Sequence, residues 1–447
     1  CPHRRPGQSD GNSGVFSWFL ANRVSPYLDP GQKWATPLGS CRAVAPEQRQ
    51  EKYFNPGFAL SLPPTTLTMR NWSRHIHWEP ATLALPRSEE EVRQMVREAA
   101  SRGRTVRTVG SAHSFNPLWV TDELLISLDH YQGLVAVDAE QGTATVRAGT
   151  KLYALGELLF AHGLALENMG DIDRQSIAGT IGTGTHGTGL GFGIIPTQVT
   201  GLRLVNGRGE VVSCSAGENP ELFDAARVSL GALGVITEVT LRCVPAYRLR
   251  LENRRERVET VLTEFPRRIR ENRNFEWYWF PGTRTAWTKS SNPAAGQPDR
   301  VGLANYLTEY VLENYVFGAL CAAARRLPAL NGPVARISAA SIPNVTKVYH
   351  SHKVYATPRL VRFNEMEYSV PLAAYEEVMR EVIRVVNRGR FPVHFPIESR
   401  VVKGDDIFLS PAHGRDSAFI AAHVYAKKDF RPYFRALEEI FLAHGGR

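Results

Sequence analysis

The most restrictive feature of the sequence is a glycine-rich stretch, GTIGTGTHGTGLGFG, at residues 179–193. Within it Gly182, Gly184 and Gly187 spell G-x-G-x-x-G, the expression of a Rossmann dinucleotide site. That fingerprint requires a helix that starts at the third glycine, and the dense glycines that follow, with Pro196, disfavour one. We therefore reject the Rossmann interpretation. The stretch predicts either a flexible loop or, as we favour, a cradle in which backbone N–H groups and threonine hydroxyls approach a phosphate.

Composition narrows the possible partners and compartments. A chain of 447 residues is long enough for two or three domains, and its net charge of +9 suits an anionic cofactor or substrate. No block of lysines and arginines resembles a nucleic-acid-binding arm, so we expect no nucleic acid partner. The five cysteines form no C-x-x-C pair, which favours a reducing, cytoplasmic location and argues against a metal site. The most apolar run, residues 315–324, is too short to span a membrane.

The two ends of the chain differ from its middle. Residues 1–68 are rich in Pro, Gly, Ser and Gln, and we expect a poorly ordered or non-native extension there. Met69 is a candidate for the natural start. The chain stops at Arg447, directly after an expected helix, so we also expect it to be truncated at the C-terminus.

A β-α-β unit opens the readable part of the chain. Ser88 precedes an apolar helical pattern and Glu91 follows three residues later, which predicts a capping box. The second strand of the unit ends in the loop Gly110–Pro117, which carries His113 among small residues. A lone turn histidine usually bonds its own backbone, but the small neighbours favour a bulky group packed against this loop.

The second half of the chain, from about Pro245, alternates strands and helices, and we expect an α+β domain around a mixed sheet. Glu398 and Arg400 stand two apart on one predicted strand and so share a face. Two opposite charges on one face can also be a simple surface pair.

Five stretches together resemble a known family in order and spacing. They are RTVGSAHSFNP, NMGDIDRQSIAGTIGTGTHGTG, VSLGALGVITEVTL, VRFNEMEYSVP and PIESRVVKGDDIFLSPAHGRDS. Over about residues 71–447 the chain resembles the aldonolactone oxidoreductases, which include L-gulonolactone oxidase, D-arabinonolactone oxidase and alditol oxidase, within the vanillyl-alcohol-oxidase flavoproteins. Relatives continue past the equivalent of Arg447 with a His-Trp-Gly-Lys segment whose lysine lies in the active site.

The resemblance implies an α+β fold. An FAD-binding domain of two subdomains would span residues 69–245, and a cap domain that binds substrate would span residues 246–447. It further implies that His113 is bonded covalently to the flavin. The residues expected to bind FAD are Gly110, Ser111, Ala112, His113, Ser114, Ser176, Gly179, Thr180, Gly182, Thr183, Gly184, Thr185, Gly187, Thr188, Gly234, Val235 and Ile236.

The resemblance also implies catalytic roles. Arg400 would stabilise negative charge on the reduced flavin and orient substrate, and Glu398 would hydrogen-bond substrate hydroxyls. His423 would assist proton removal or be a core histidine of its strand, Ser176 is a further candidate for substrate contact, and His186 would serve loop structure.

The implied reaction is the oxidation of an aldono-1,4-lactone at C2 to an ascorbate-like product, with hydride to the flavin and electrons to O2 or another acceptor. The alternatives are an alditol oxidase that acts on open-chain polyols, or a catalytically impaired flavin-binding module.

Overall fold

The computed structural model describes residues 68–299, 314–356 and 359–447. The extension predicted for residues 1–68 therefore lies outside the described residues, apart from Thr68. In chain order, the elements up to residue 245 are β1 (Met69–Arg70), β2 (His77–Trp78), β3 (Thr82–Ala84), α1 (Glu89–Ser101), β4 (Val106–Val109), β5 (Leu124–Ser127), β6 (Leu134–Asp138), β7 (Thr143–Arg147), α2 (Leu152–Ala161), β8 (Leu164–Ala165), α3 (Ile177–Gly182), the 3-10 helix Ile195–Gln198, β9 (Val199–Val205), β10 (Val211–Ser215), α4 (Pro220–Ala226), β11 (Val235–Arg242) and β12 (Val244–Pro245).

Helix α1 begins as its sequence predicts. The Ser88 side chain accepts a hydrogen bond of 3.2 Å from the backbone N–H of Glu91. The Glu91 carboxylate reaches back to the backbone N–H of Arg87, at 2.7 Å, and not to that of Ser88. The Ser88 cap is thus confirmed. The second hydrogen bond of the capping box is made to the residue before the cap, Arg87, and not to Ser88.

Two sheets make the first half of the fold. Strands β3-β5-β4 form a parallel sheet, and strands β10-β9-β11-β7-β6 form an antiparallel one. Apolar residues of both sheets and of α1, α2 and α3 share one buried core. Because β4 and β5 are parallel neighbours, the loops that follow them leave the same edge of their sheet.

The second half is built on one large sheet. Its elements are β13 (Arg248–Arg257), α5 (Val258–Glu271), β14 (Asn274–Trp279), β15 (Thr285–Pro293), α6 (Phe317–Arg326), the 3-10 helix Pro328–Leu330, α7 (Asn331–Ala340), β16 (Val345–His350), α8 (Ser351–Tyr355), β17 (Phe363–Pro371), the 3-10 helix Leu372–Ala374, α9 (Tyr375–Gly389), β18 (Ile397–Val402), β19 (Ser417–Tyr425) and α10 (Arg431–Ala443).

The seven strands of this sheet run in the order β16-β13-β15-β14-β18-β19-β17, and every neighbouring pair is antiparallel. The prediction of a mixed sheet was therefore wrong. Strands β13 and β14, joined through α5, run parallel to each other but are not neighbours, because β15 lies between them. The α+β class itself is confirmed.

The two faces of this sheet differ in character. One face buries Trp277, Trp279 and Ile397 against apolar residues of α5, α9 and α10. The alternate residues point to the other face, where Tyr278 lies opposite Glu398 in the strand register. A buried polar face on a sheet of this size marks it as the surface that carries chemistry.

The predicted domain boundary near Pro245 stays a prediction. All strands of the three- and five-stranded sheets precede it, and all strands of the seven-stranded sheet follow it. The whole of Thr66–Arg447 forms one unit, however, and polar contacts described below cross the proposed boundary.

Candidate flavin and substrate site

A cavity of about 270 Å³ lies where the loops after β4 and β5 meet helix α3 and the segment before β11. Twelve of the residues predicted to bind FAD line it: Gly110, Ser111, Ala112, His113, Ser114, Ser176, Gly179, Gly182, Thr183, Gly234, Val235 and Ile236. Trp119, Asp129, Gly149 and Gln175 also line the cavity, and none of them was predicted from the sequence. Parallel strand ends bring these distant segments together.

Glycines make room for a ligand in this cavity. A Cβ added to Gly182 would meet no atom within 4 Å, so it would project into the cavity itself. A Cβ on Gly149 would instead stand 1.9 Å from the carbonyl oxygen of Leu128, and one on Gly234 would stand 2.3 Å from that of Val205. The walls therefore consist of closely approaching backbone, which suits a long cofactor held by main-chain groups. These residues fit an FAD.

Charge in the cavity is balanced for an anionic ligand. Asp129 lines it, but the ammonium of Lys151 lies 2.7 Å from that carboxylate. Lys151 also donates to the hydroxyl of Ser111 at 2.9 Å. An acid that would otherwise repel a pyrophosphate is thereby neutralised, and a cation stands at the cavity wall.

His113 is held in the cavity wall as a neutral imidazole. Its ring stacks on Trp72, with 5.5 Å between the ring centres. Burial, together with the nearby positive charge of Lys151, lowers the pKa of His113 to about 4. The preceding Ala112 has a φ of 52°, an uncommon value for a residue with a side chain, and this turn places the imidazole. A neutral ring nitrogen is the form that can act as a nucleophile.

The glycine-rich stretch has two halves with different surroundings. Its first residues, up to Gly182, form the end of α3. No α-helix follows in residues 183–194, so none starts at Gly187, the third glycine of the motif, and the rejection of a Rossmann loop is confirmed. Gly184, Thr185, Gly187 and Thr188 do not line the cavity, and neither does Thr180, whose hydroxyl donates to the carbonyl of Ser176 at 2.9 Å.

The second half of the stretch docks on the seven-stranded sheet. The Thr188 hydroxyl donates to the carbonyl of Phe275 at 2.6 Å. His186 is buried and packs against Phe419, with 3.9 Å between ring centres and 40° between the ring planes. Its Nδ1 faces the Gly187 carbonyl at 2.7 Å and its Nε2 faces Glu367 at 3.1 Å. This histidine joins the loop to the sheet, in keeping with the structural role expected for it.

Glu398 and Arg400 lie side by side in β18 on the polar face and form a direct ion pair. Glu398 is 4 % exposed and Arg400 6 %, so a surface pair is ruled out. Nε of Arg400 donates to Glu276 at 2.9 Å, and its Nη2 lies 3.3 Å from Asp171. The Tyr278 hydroxyl donates to Glu398 at 2.8 Å.

The environment tunes the two acids of this group in opposite directions. Burial, with the negative charges of Asp171 and Glu276, raises the pKa of Glu398 to about 7 in spite of Arg400. Burial also acts against the charged form of Glu276, but Lys289 and Arg400 outweigh it and lower the pKa of that carboxyl. Glu398 is thus the acid of the group that exchanges its proton near neutral pH.

His423, on β19, is buried and both of its ring nitrogens face acceptors. Nδ1 lies 3.1 Å from the carbonyl of Pro396 and Nε2 lies 3.5 Å from Glu365. Burial opposes the charged form, yet Glu365 and Glu398 raise the pKa of His423. The neighbouring carboxylates therefore favour the charged form of the ring.

Five residues of the charged group escaped the sequence analysis. Glu276 and Tyr278 stand two apart in the stretch FEWYWF, and this alternation could have placed them on the face of Glu398. No local pattern indicates the others. The five residues are Asp171, Glu276, Tyr278, Lys289 and Arg359.

Comparison with known proteins identifies the family. A family model described as D-arabinono-1,4-lactone oxidase matches residues 239–447, and an FAD binding domain model matches residues 80–215. The chain is 39% identical over 377 residues to L-gulono-1,4-lactone dehydrogenase of Mycobacterium tuberculosis (strain ATCC 25618 / H37Rv), which covers 84% of this chain and 87% of the relative. The chain belongs to the aldonolactone oxidoreductase family. L-Gulonolactone oxidase of Bos taurus is 32% identical over 385 residues, 85% of this chain and 87% of the relative.

Membership in this family makes the protein an FAD-dependent oxidoreductase, as the sequence predicts. A solved structure of cholesterol oxidase from B. sterolicum superimposes with a TM-score of 0.73 at 18% identity, over 87% of this chain and 86% of that one. At that identity the likeness concerns the fold, which confirms the vanillyl-alcohol-oxidase type. No helix in the described part of the chain is long and apolar enough to cross a membrane.

Proposed function

We propose that this protein oxidises an aldono-1,4-lactone, either L-gulono- or D-arabinono-1,4-lactone, at C2. When bound, FAD supplies the acceptor for the hydride that leaves C2. The observation that carries the proposal is the buried Glu398–Arg400 pair on the polar face of the seven-stranded sheet, in a chain that belongs to the lactone oxidoreductases.

Glu398 is the acceptor for the proton of the C2 hydroxyl. As the C–H bond breaks, the O–H bond of that hydroxyl breaks too, and its proton passes to a carboxylate oxygen. A carboxyl with a pKa of about 7 is ionised in about half of the molecules at neutral pH and can then release the proton again. Tyr278 holds the carboxylate in place through its 2.8 Å hydrogen bond.

Arg400 orients the substrate and stabilises negative charge. Its guanidinium is fixed from two sides, by Glu276 at 2.9 Å and by Asp171 at 3.3 Å, so it needs little reorganisation during the reaction.

The surroundings of His423 support a positioning role. Both ring nitrogens face protein oxygens, so neither is directed at a substrate. Glu398 takes the proton-removing role that the family resemblance had suggested for His423.

His113 is the residue that bonds covalently to the flavin. Its position in the cavity wall, its neutral state and the support of Trp72 favour this assignment. Acid precipitation tests it: yellow colour should stay in the pellet of the parent protein and move to the supernatant in His113→Ala. Colour in the supernatant of the parent protein would refute the covalent bond.

The product is an ascorbate-like enediol, formed when the oxidised lactone tautomerises, and electrons leave to O2 or another acceptor. The cytoplasmic location expected from the cysteines stays a prediction.

Anaerobic mixing tests the proposed reaction. The flavin absorbance of the purified protein should bleach with L-gulono- or D-arabinono-1,4-lactone and persist with xylitol. Bleaching by xylitol alone would make the protein an alditol oxidase. A flavin that no lactone and no polyol reduces would make it a binding module without this activity.

A further inference from the structure

Two arginines share one carboxylate oxygen beside the proposed site. Nη2 of Arg359 lies 2.6 Å from Oδ2 of Asp171, and Nη2 of Arg400 lies 3.3 Å from the same atom. Two like charges are therefore held next to each other by a single acid. Since Asp171 comes before the glycine-rich stretch and both arginines come from the second half of the chain, this arrangement exists only in the folded molecule.

The charged side chains around Asp171 can attract an oxygen atom of a ligand. The cations are Arg359, Arg400 and Lys289, and the carboxylates that face them are Asp171, Glu276 and Glu398. When all three carboxylates are ionised, they equal the cations in number. The N–H groups of the two guanidiniums can still attract an oxygen that bears partial negative charge.

Both guanidiniums also have buried donors without a hydrogen-bond partner in the described part of the chain. They are Nε of Arg359 and Nη2 of Arg400, the latter close to two carboxylates but not aligned for a hydrogen bond. An unsatisfied buried donor costs free energy, which a ligand acceptor would recover. The Arg359 side chain as a whole is 31% exposed, although its Nε is itself buried.

We infer that Arg359 is a second substrate-binding residue, which with Arg400 donates hydrogen bonds to the carbonyl oxygen at C1 of the lactone and so selects lactones over polyols. This inference rests on the proposed function. The oxygens at C1 of a lactone only accept hydrogen bonds, whereas the C1 hydroxyl of a polyol also has a proton to donate. Arginine can only donate hydrogen bonds, so it cannot accept the proton of a polyol hydroxyl. The nearby acceptor, Oδ2 of Asp171, already faces both guanidiniums. A site built for a given hydrogen-bonding pattern discriminates strongly against the wrong one.

Binding of an unreactive lactone tests the inference. The probe is a 2-deoxy-aldono-1,4-lactone, which keeps the C1 carbonyl and lacks the hydroxyl that is oxidised, beside a polyol of equal carbon number. Dissociation constants come from changes in flavin absorbance of the FAD-loaded protein. Arg359→Gln should weaken lactone binding by about 30–100-fold and polyol binding by less than about threefold, as expected for one lost charged hydrogen bond.

Two further variants separate recognition from structure. Arg359→Lys can keep an ion pair with Asp171 but lacks the forked donors, so lactone binding should stay weak. Arg362→Gln is the matched control, because Arg362 lies on the same segment and its charge faces Arg74. It should bind both probes as the parent does.

Three results would overturn the inference: unchanged lactone binding in Arg359→Gln, equal weakening of lactone and polyol, or full recovery in Arg359→Lys. A parent protein whose flavin no lactone reduces would refute the proposed function instead. The two failures are therefore distinguishable.

Discussion

At the residue scale, the proposed reaction depends on the pKa of Glu398, which its neighbours set. Glu398 sits between a cation, Arg400, and the carboxylates of Asp171 and Glu276. Burial raises the pKa of Glu398 more than Arg400 lowers it, and the pKa is about 7. A proton acceptor must be ionised to work, so activity should increase as the pH rises through this value.

Tyr278→Phe should shift this dependence. The hydroxyl of Tyr278 donates to the carboxylate, and a hydrogen bond to the charged form lowers a pKa. Its removal should raise the pKa of Glu398, so the acidic limb of the kcat/KM profile should move to higher pH by about 0.5–1 unit.

Tyr375→Phe is the control for that experiment, because Tyr375 lies against the opposite face of the sheet and accepts from Trp277 at 2.7 Å. It should affect stability and leave the profile in place. A profile that does not move in Tyr278→Phe would contradict the role given to the tyrosine.

At the element scale, the loops after two parallel strands and one short helix build the cofactor cavity. Helix α3 contributes Gly179 and Gly182 to the wall, so the glycines are there for space rather than for a flexible chain. Both glycines belong to the glycine-rich stretch, but their helical conformation could not be read from glycine content.

Gly182→Val should therefore lower FAD retention. The side chain would enter the cavity and cost little elsewhere, since no atom stands within 4 Å of the added Cβ. We expect at least a tenfold loss in FAD affinity, measured by reconstitution of the apoprotein, with little change in thermal unfolding of that apoprotein.

Gly217→Val offers a matched comparison. Gly217 also has no atom within 4 Å of an added Cβ, but it lies in an exposed turn away from the cavity. FAD affinity should be unchanged there. Equal affinities in both variants would argue against the cavity as the flavin site.

At the scale of the whole molecule, polar contacts join the first half of the chain to the seven-stranded sheet. The ion pair of His186 with Glu367 is one of them and the contacts of Asp171 with the two arginines are another. These contacts put the glycine-rich loop against the strands that carry the proposed catalytic residues. The cofactor cavity and the polar sheet face are thereby fixed within one folded unit.

The His186–Glu367 pair should make stability depend on pH. Burial opposes the imidazolium, but Glu367 raises the pKa of His186, so its contribution is complete below the ordinary histidine pKa of 6.5 and is lost as the pH rises through the raised value. Burial likewise opposes the Glu367 carboxylate, while His186 lowers its pKa, so that contribution is present above 4.5 and lost as the pH falls through the lowered value.

His186→Gln should accordingly destabilise the protein most between pH 4.5 and 6.5, by about 1 kcal/mol because solvent screens the exposed Glu367, and less at higher pH. Denaturant unfolding at several pH values measures this difference. His130→Gln, at an exposed histidine, should show no such dependence. A loss in His186→Gln that is the same at every pH would mean that the ion pair contributes nothing beyond packing.

The sequence by itself determined the family, the cofactor and the α+β class, because ordered motifs survive in the linear chain. It also predicted the helix cap at Ser88 and the shared face of Glu398 and Arg400, since residues two apart on a strand point the same way. Local chemistry of this kind depends on neighbours in sequence.

Only the tertiary structure decided which acid has its pKa raised, which glycines line the cavity and which cations surround Asp171. Lys289, Glu276, Arg359 and Asp171 come from separate segments, and no periodic pattern relates them. The pKa of Glu398 depends on burial and on charges brought close by the sheet register. These are properties of distance in space, which sequence separation does not encode.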